Sequence, residues 1–471
     1  MKTSKILIFI LAVITGLALL CAIFPEEGLK IFGRRFFFPT FEEVMVREKS
    51  RSAAEKMQIL ENELLMTEQP NSNKSDSLLL FEHFFSTHPA AFVLPDNKTD
   101  FFDNFFEQIE KCCADNTVVH IMHYGDSQIE MDRISGILRQ RLQERFGGFG
   151  AGLMPAVQII PSSAVNQSAS ENIERYVISG LHRNRASHNR YGALGQVAQV
   201  NGSGAITFGA SNYARTFSGT KQWTQERVFL GAHSKSFQTT LAAETFRQGQ
   251  KVDNQDNKYS ILTWEIDTTK RTTLYFSGTA EVLGVALESP CGVFVDNVPL
   301  RGSSGTFFSQ IDKTSISFMY DALNVRLIFL QFGGNMMPQI NSQKAIDKYM
   351  ENMAEQIQFL QQLAPQAKIV LIGPADMSKK VNGKLQTYPL LTELIESMKR
   401  TANQNNAAFW NIFAVMGGNN SMIDWVKEKP SLAAPDYIHF TARGADKIGE
   451  ILFDSMMKYY DFYKFRQKKK L

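Results

Sequence analysis

From Thr117 to Tyr124 the chain is mostly apolar, as in a strand buried on both faces, and Asp132 to Phe146 then places Ile134, Ile137, Leu138, Leu142 and Phe146 on one face of a predicted helix. The alternation returns far downstream. Strands are predicted over Asn324 to Phe332, Ala367 to Ile372 and Ala407 to Phe413, and helices over the segment presenting Ile346, Tyr349, Met350, Met353, Ile357 and Leu360, over Leu390 to Asn403 and over Ala442 to Tyr459. Continuous apolar strands alternating with amphipathic helices predict an α/β class built on a mainly parallel sheet covered on both faces.

Between Leu153 and Pro290 the helical period disappears. Short runs such as Ala205 to Phe208, Arg227 to Leu230, Ser260 to Ile266 and Glu281 to Leu287 are separated by Gly, Asn, Ser and Asp, and Leu262, Trp264 and Ile266 alternate with Thr263 and Glu265. An all-β sandwich inserted into the α/β domain is expected. The predicted divisions are residues 1–25, 26–80, 81–152, 153–290 and 291–471. The first is an N-terminal membrane anchor or signal segment, the second a helical stalk from about 41 to 68 with a linker at Gln69 to Asn73, the fourth the insert, and the third and fifth the two parts of the α/β domain.

Lys2 and Lys5 precede nineteen uncharged residues from Ile6 to Phe24, followed by Pro25-Glu26-Glu27. That length and charge order predict a membrane-crossing helix with an exported body, and the lack of a small-x-small site favours an uncleaved anchor over a signal peptide. With 50 Lys+Arg against 47 Asp+Glu, the net charge of +3 excludes nucleic acid as the main partner. Lys468-Lys469-Lys470 is read as a solvated tail. Cys112, Cys113 and Cys291 match neither a zinc spacing nor a disulfide framework and are read as small buried residues.

Candidate chemistry centres on Gly125-Asp126-Ser127, at the carboxyl end of a predicted strand, where open α/β sheets bind ligands. As an isolated tripeptide it is ordinary turn chemistry. A serine nucleophile needs a base and an orienting carboxylate, and Asp436 precedes His439 by three residues in the loop before the last helix. His120 and His123 sit three apart on a strand and so point to opposite faces, which argues against a shared metal; His83, His88, His182, His188 and His233 have no comparable carboxylate in sequence. Donors for an oxyanion are offered by Gly333-Gly334-Asn335, and by the glycines of Leu300 to Gly305.

Tyr124-Gly125-Asp126-Ser127, Arg301-Gly302-Ser303-Ser304-Gly305, Phe332-Gly333-Gly334-Asn335 and Asp436-Tyr437-Ile438-His439 resemble the four blocks of SGNH/GDSL hydrolases, in the family's order. The resemblance implies a flavodoxin-like three-layer α/β/α domain, with Ser127 as nucleophile, His439 as general base and Asp436 as its orienter. It also implies an oxyanion hole of the Ser127 and Gly305 amides and the Asn335 side chain, with Gly302 as the fallback for Gly305. No metal or organic cofactor is implied. Met336 stands where the family often has Asp. The β insert and Phe409 to Gly418 resemble the peptidoglycan O-acetylesterase branch, whose insert is similar to a carbohydrate-binding module. Trp410 itself reads equally as core strand or as substrate rim. The expectation is a periplasmic-side esterase acting on an acetylated cell-envelope glycan, with an O-acetyltransferase and an inactive glycan-binding protein as the alternatives. Oligomeric state is not legible.

Overall fold

The structure, a computed structural model, describes residues 52–65, 74–179, 184–213, 217–252 and 258–469, with scattered residues before 37. Most of the apolar run from Ile6 to Phe24, residues 41–51 of the expected stalk, Gln69 to Asn73, and His182 lie outside the described residues. Among the described residues no helix is long and apolar enough to cross a membrane. Met1–Glu55 and Lys56–Leu471 are separate compact units, and the first holds an antiparallel pair, Leu29–Ile31 with Arg34–Phe36.

Five parallel strands form the centre of the second unit: β1 (Val118–Gly125), β2 (Gly292–Pro299), β3 (Val325–Gln331), β4 (Lys368–Ile372) and β5 (Ala408–Trp410), in spatial order β2-β1-β3-β4-β5. Apolar residues predominate in these strands, and almost all of their side chains are buried, as both faces are covered. The covering is read directly from β1. His123 bonds to Ser135 of helix α1 (Ser135–Phe146), whereas the next residue, Tyr124, bonds at 2.7 Å to Tyr320 of helix α2 (Lys313–Leu323). Successive strand side chains point to opposite faces, so α1 and α2 lie on opposite sides and the domain has three layers. Helices α3 (Gln343–Leu363) and α4 (Leu391–Gln404) pack together on the α2 side, and α5 (Ala442–Lys469) packs on α1.

Several elements depart from the sequence reading for local reasons. The helix expected from Asp132 begins at Ser135, because Met131, Asp132 and Ile134 have positive φ and interrupt the turn. The strand expected over Ala407 to Phe413 stops at Trp410; Asn411 then caps a short helix, Ile412–Met416, by accepting from the Ala414 N–H. Trp410 is fully buried and donates to the Ala90 carbonyl at 2.9 Å, which makes it core. α5 continues ten residues past Tyr459 because Phe462 and Tyr463 remain buried, Phe462 against Phe81. The helix Ala53–Leu65 is no free stalk beyond residue 55. Met57, Leu60 and Leu64 are buried, and Glu61 pairs with Lys447 of α5 at 2.6 Å.

Among the described residues the expected all-β insert forms an antiparallel sheet of nine strands. Its organising element is the eighteen-residue strand Arg271–Glu288, which pairs with Gln196–Ala210 along its first part and with Trp223–His233 along its second, with register shifts near Val282. The curled sheet encloses its own core, including Trp223, Trp264, Phe208 and Leu274.

Cysteine corrects the sequence reading. Cys113 and Cys291 form a disulfide with Cα atoms 4.9 Å apart, while Cys112 is free and buried. Parallel pairing of Val118 with Gly292 carries the two cysteines together across 178 residues of sequence, a proximity no spacing rule reveals.

Histidine does so too. His120, fully buried in β1, lies 2.6 Å from Asp296 of β2 through Nδ1, and its Nε2 is 2.8 Å from Glu288, without hydrogen-bond alignment. Glu288 also takes Arg227 at 2.9 Å, and Asp296 accepts from the Leu153 N–H at 2.7 Å. One buried charge network therefore ties the parallel sheet to the insert. His188 likewise pairs with Glu281 at 3.0 Å, and His88 lies 3.8 Å from Glu63.

Candidate active site

β1 ends at Gly125, where a Cβ would stand 3.0 Å from Ile129 and 3.2 Å from the Gln331 carbonyl, so a side chain here would crowd the turn. Asp126 starts the turn by accepting from the Gln128 N–H at 3.0 Å, and Ser127 opens a 3₁₀ segment, Ser127–Asp132. As its first residue, Ser127 has no intrahelical acceptor for its N–H.

The loop before α5 delivers the remaining groups. Ser127 Oγ is 2.8 Å from His439 Nε2, and His439 Nδ1 is 2.8 Å from Asp436 Oδ2. Asp436 Oδ1 accepts from the N–H groups of Ile438 and His439 at 2.9 and 3.0 Å. Burial alone would raise the Asp436 carboxyl, but the His439 N–H and imidazole and the Ile438 N–H outweigh it and hold it below the ordinary value. Tyr437 takes a positive φ of 59° to close this short loop.

Two side chains with no motif signal hold the serine and histidine segments together. Gln128 brackets His439, donating to the Ile438 carbonyl at 2.6 Å and accepting from the Phe440 N–H at 3.2 Å. Arg133 donates to the carbonyls of Ser127 (3.0 Å), Phe440 (3.1 Å) and Glu130 (2.9 Å). If the site turns over esters, Gln128→Ala should lower kcat for an aryl acetate about tenfold to a hundredfold, since both of its contacts hold the segment that carries His439. Steady-state kinetics with a matched melting temperature would check this, and an unchanged kcat would remove Gln128 from the positioning role.

Asn335, in the turn after β3, donates through Nδ2 to Asp126 Oδ2 at 2.9 Å and to the Ser303 carbonyl at 3.2 Å. Burial pushes Asp126 up to about 6. Gly305 is placed differently. Its N–H is taken by Ser303 Oγ at 3.1 Å, and its φ of +79° leaves the Phe332 ring 2.5 Å from where a Cβ would be. Ser127, His439, Asn335, Gly334, Pro374 and Tyr388 line a cavity of about 160 Å³; neither Gly305 nor Gly302 is among its lining. That volume is about half the lower end of drug-sized pockets, room for a small acyl group. Histidine that can accept the serine proton, a carboxylate on the far nitrogen and an amide on the cavity wall are together the equipment of nucleophilic acyl transfer.

No family model and no curated protein matches the sequence. Among solved structures, one described as a peptidoglycan O-acetylesterase in action aligns with a TM-score of 0.60 at 20% identity, over 78% of this chain and 97% of the other. A family two carbohydrate esterase from Cellvibrio japonicus (8% identity, 63% and 99% coverage, TM-score 0.25) and an acetyl xylan esterase (14%, 35% and 81%, TM-score 0.27) align too poorly to bear on the fold.

Proposed function

From the premise that this chain has the fold of an SGNH-type esterase, we propose that it is a serine esterase that removes O-acetyl groups from a cell-envelope glycan through an acetyl-Ser127 intermediate. The observation that carries this reading is the Ser127–His439–Asp436 chain of 2.8 Å contacts opening into a small cavity. His439 Nε2 takes the Ser127 proton as Oγ attacks the acetyl carbonyl carbon. The C=O electron pair moves onto oxygen, which faces the Ser127 N–H and the Asn335 amide. Asn335 reaches it by giving up the longer of its two bonds, that to Ser303. Collapse expels the sugar oxygen, protonated by His439, and water then releases acetate by the same steps in reverse. Gly305 contributes a donor only if the Ser303 hydroxyl turns away from its N–H.

An exported location supports a glycan substrate. The reading rests on Lys2 and Lys5 before the apolar run, and on Cys113–Cys291, a bond that persists in oxidising compartments. Incubation with a serine-directed fluorophosphonate should place one adduct on Ser127 by peptide mass spectrometry, and O-acetylated peptidoglycan or xylan should release acetate. Absence of both, in folded protein, would sink the proposal, and acetyl appearing on an added glycan acceptor would make it a transferase.

A further inference from the structure

A second cavity, of about 300 Å³, opens where the antiparallel sheet meets the carboxyl-end edge of the parallel sheet. Its wall combines apolar groups, such as Met154, Val177 and Leu194, with the amides Gln158 and Gln196. The charges are uneven. Three arginines line it, Arg139, Arg175 and Arg301, against one carboxylate, Asp132.

Two of the three are neutralised. Arg139 grips Asp132 through two bonds of 2.6 and 2.8 Å, and Arg301 grips Glu130 through two of 2.6 Å. Arg175 is different. It stands on the strand Ile173–Val177, half-buried, and donates through Nε to Gln196 Oε1 at 2.5 Å; among the described residues no carboxylate pairs with it. Burial with no compensating anion pushes its pKa down. A guanidinium withdrawn from water without a counter-ion is costly, and the planar fork left by its two terminal nitrogens matches a carboxylate.

The cavity lies close along the chain to the candidate active site. Ser127 and Gln128 line the first cavity and Met131 and Asp132 the second, at opposite ends of the same 3₁₀ segment. Four residues of chain separate Ser127 from Met131, which bounds their distance at about 14 Å.

We propose that the second cavity is a subsite for an acidic sugar, in which Arg175, held by Gln196, takes the carboxylate of a residue neighbouring the acetylated one. The apolar wall packs against the sugar ring. The sugar's place along the chain rests on the glycan-esterase reading; the recognition of a carboxylate by Arg175 does not.

Calorimetric titration of the full-length chain with trigalacturonate and with its carboxyl-reduced counterpart separates charge from sugar. The acid should bind at least tenfold more tightly, with a preference that shrinks on raising salt. Arg175→Gln, shown to be folded by its melting temperature, should lose that preference, and Arg175→Lys should keep part of it. Equal binding of the two sugars, no binding of the acid, or a preference that survives Arg175→Gln would overturn the subsite. So would displacement of the acid by equimolar inorganic phosphate, which would make the cavity a general anion hole. Acetate release from a neutral acetylated glycan tests the esterase reading alone. Acid binding through Arg175 without any acetate release would keep the subsite and reject the esterase.

Discussion

Replacing His439 by alanine is expected to lower kcat/KM for an aryl acetate by about 10⁴-fold or more, the loss seen when a serine hydrolase is left without its base. The 2.8 Å contact from Nε2 to Ser127 Oγ is the only route in the site by which the serine proton reaches a nitrogen base among the described residues. Asp436→Ala should cost less, about 10³-fold to 10⁴-fold, because half of that carboxylate side chain is exposed and water can partly replace it. The double variant should be hardly worse than His439→Ala, since in the proposed mechanism both residues serve one proton transfer. Stopped-time acetate assays on the three proteins test this. Multiplicative losses, or a His439→Ala protein keeping a tenth of wild-type activity, would mean that the two do not act as a unit.

Loss of the Glu288 carboxylate should destabilise the second unit by about 3–5 kcal/mol, read as a drop in denaturant midpoint or melting temperature of Glu288→Ala. Arg227 and His120 would be left facing an empty, dry site between the two sheets. The same network sets a pH dependence. Burial by itself would lower His120, but the carboxylates of Asp296 and Glu288 overcome it and raise the imidazole from 6.5 to about 9; Glu288 is held at about 2 by Arg227 and His120 against its own burial. A raised histidine contributes stability in full below its unfolded value and loses it as pH climbs through the folded one. A depressed carboxylate contributes above its unfolded value and loses it as pH falls toward about 2. Stability, followed by melting temperature, should therefore be highest between about pH 4.5 and 6.5 and decline from 6.5 to 9, the free energy falling by an amount on the order of 3 kcal/mol for His120. His120→Phe should flatten that decline.

What could be read from the sequence follows the range of the interactions. The apolar strands and the amphipathic helices announce themselves by period, and Asp436 reaches His439 within one loop, so three-residue spacing is enough to bring that contact into view. Gln128 and Arg133 reach their partners across 307 residues or more, and nothing in their neighbourhood marks them. His120, Asp296 and Glu288 each look like a polar blemish in an apolar strand until the strands are paired. Backbone strain was equally silent: no propensity signals that Ile134 takes φ of 64° and delays α1 to Ser135. At Gly305 the N–H meets a local acceptor, Ser303 Oγ, which a motif cannot show.

The strand Arg271–Glu288 also has a bearing on how the chain comes together. β1 and β2 are direct neighbours in the sheet, yet the insert lies between them, so their pairing is of very high contact order. Near its far end, however, the insert is pinned to its own beginning: Leu153 pairs with Ala286, and Gly152 with Leu287. Once that pairing forms, the path from β1 to β2 shortens to a few turns plus α1, and loop-closure entropy, which grows only with the logarithm of length, counts the short path. The parallel sheet can thus carry a whole second fold at nearly the closure cost of an ordinary crossover.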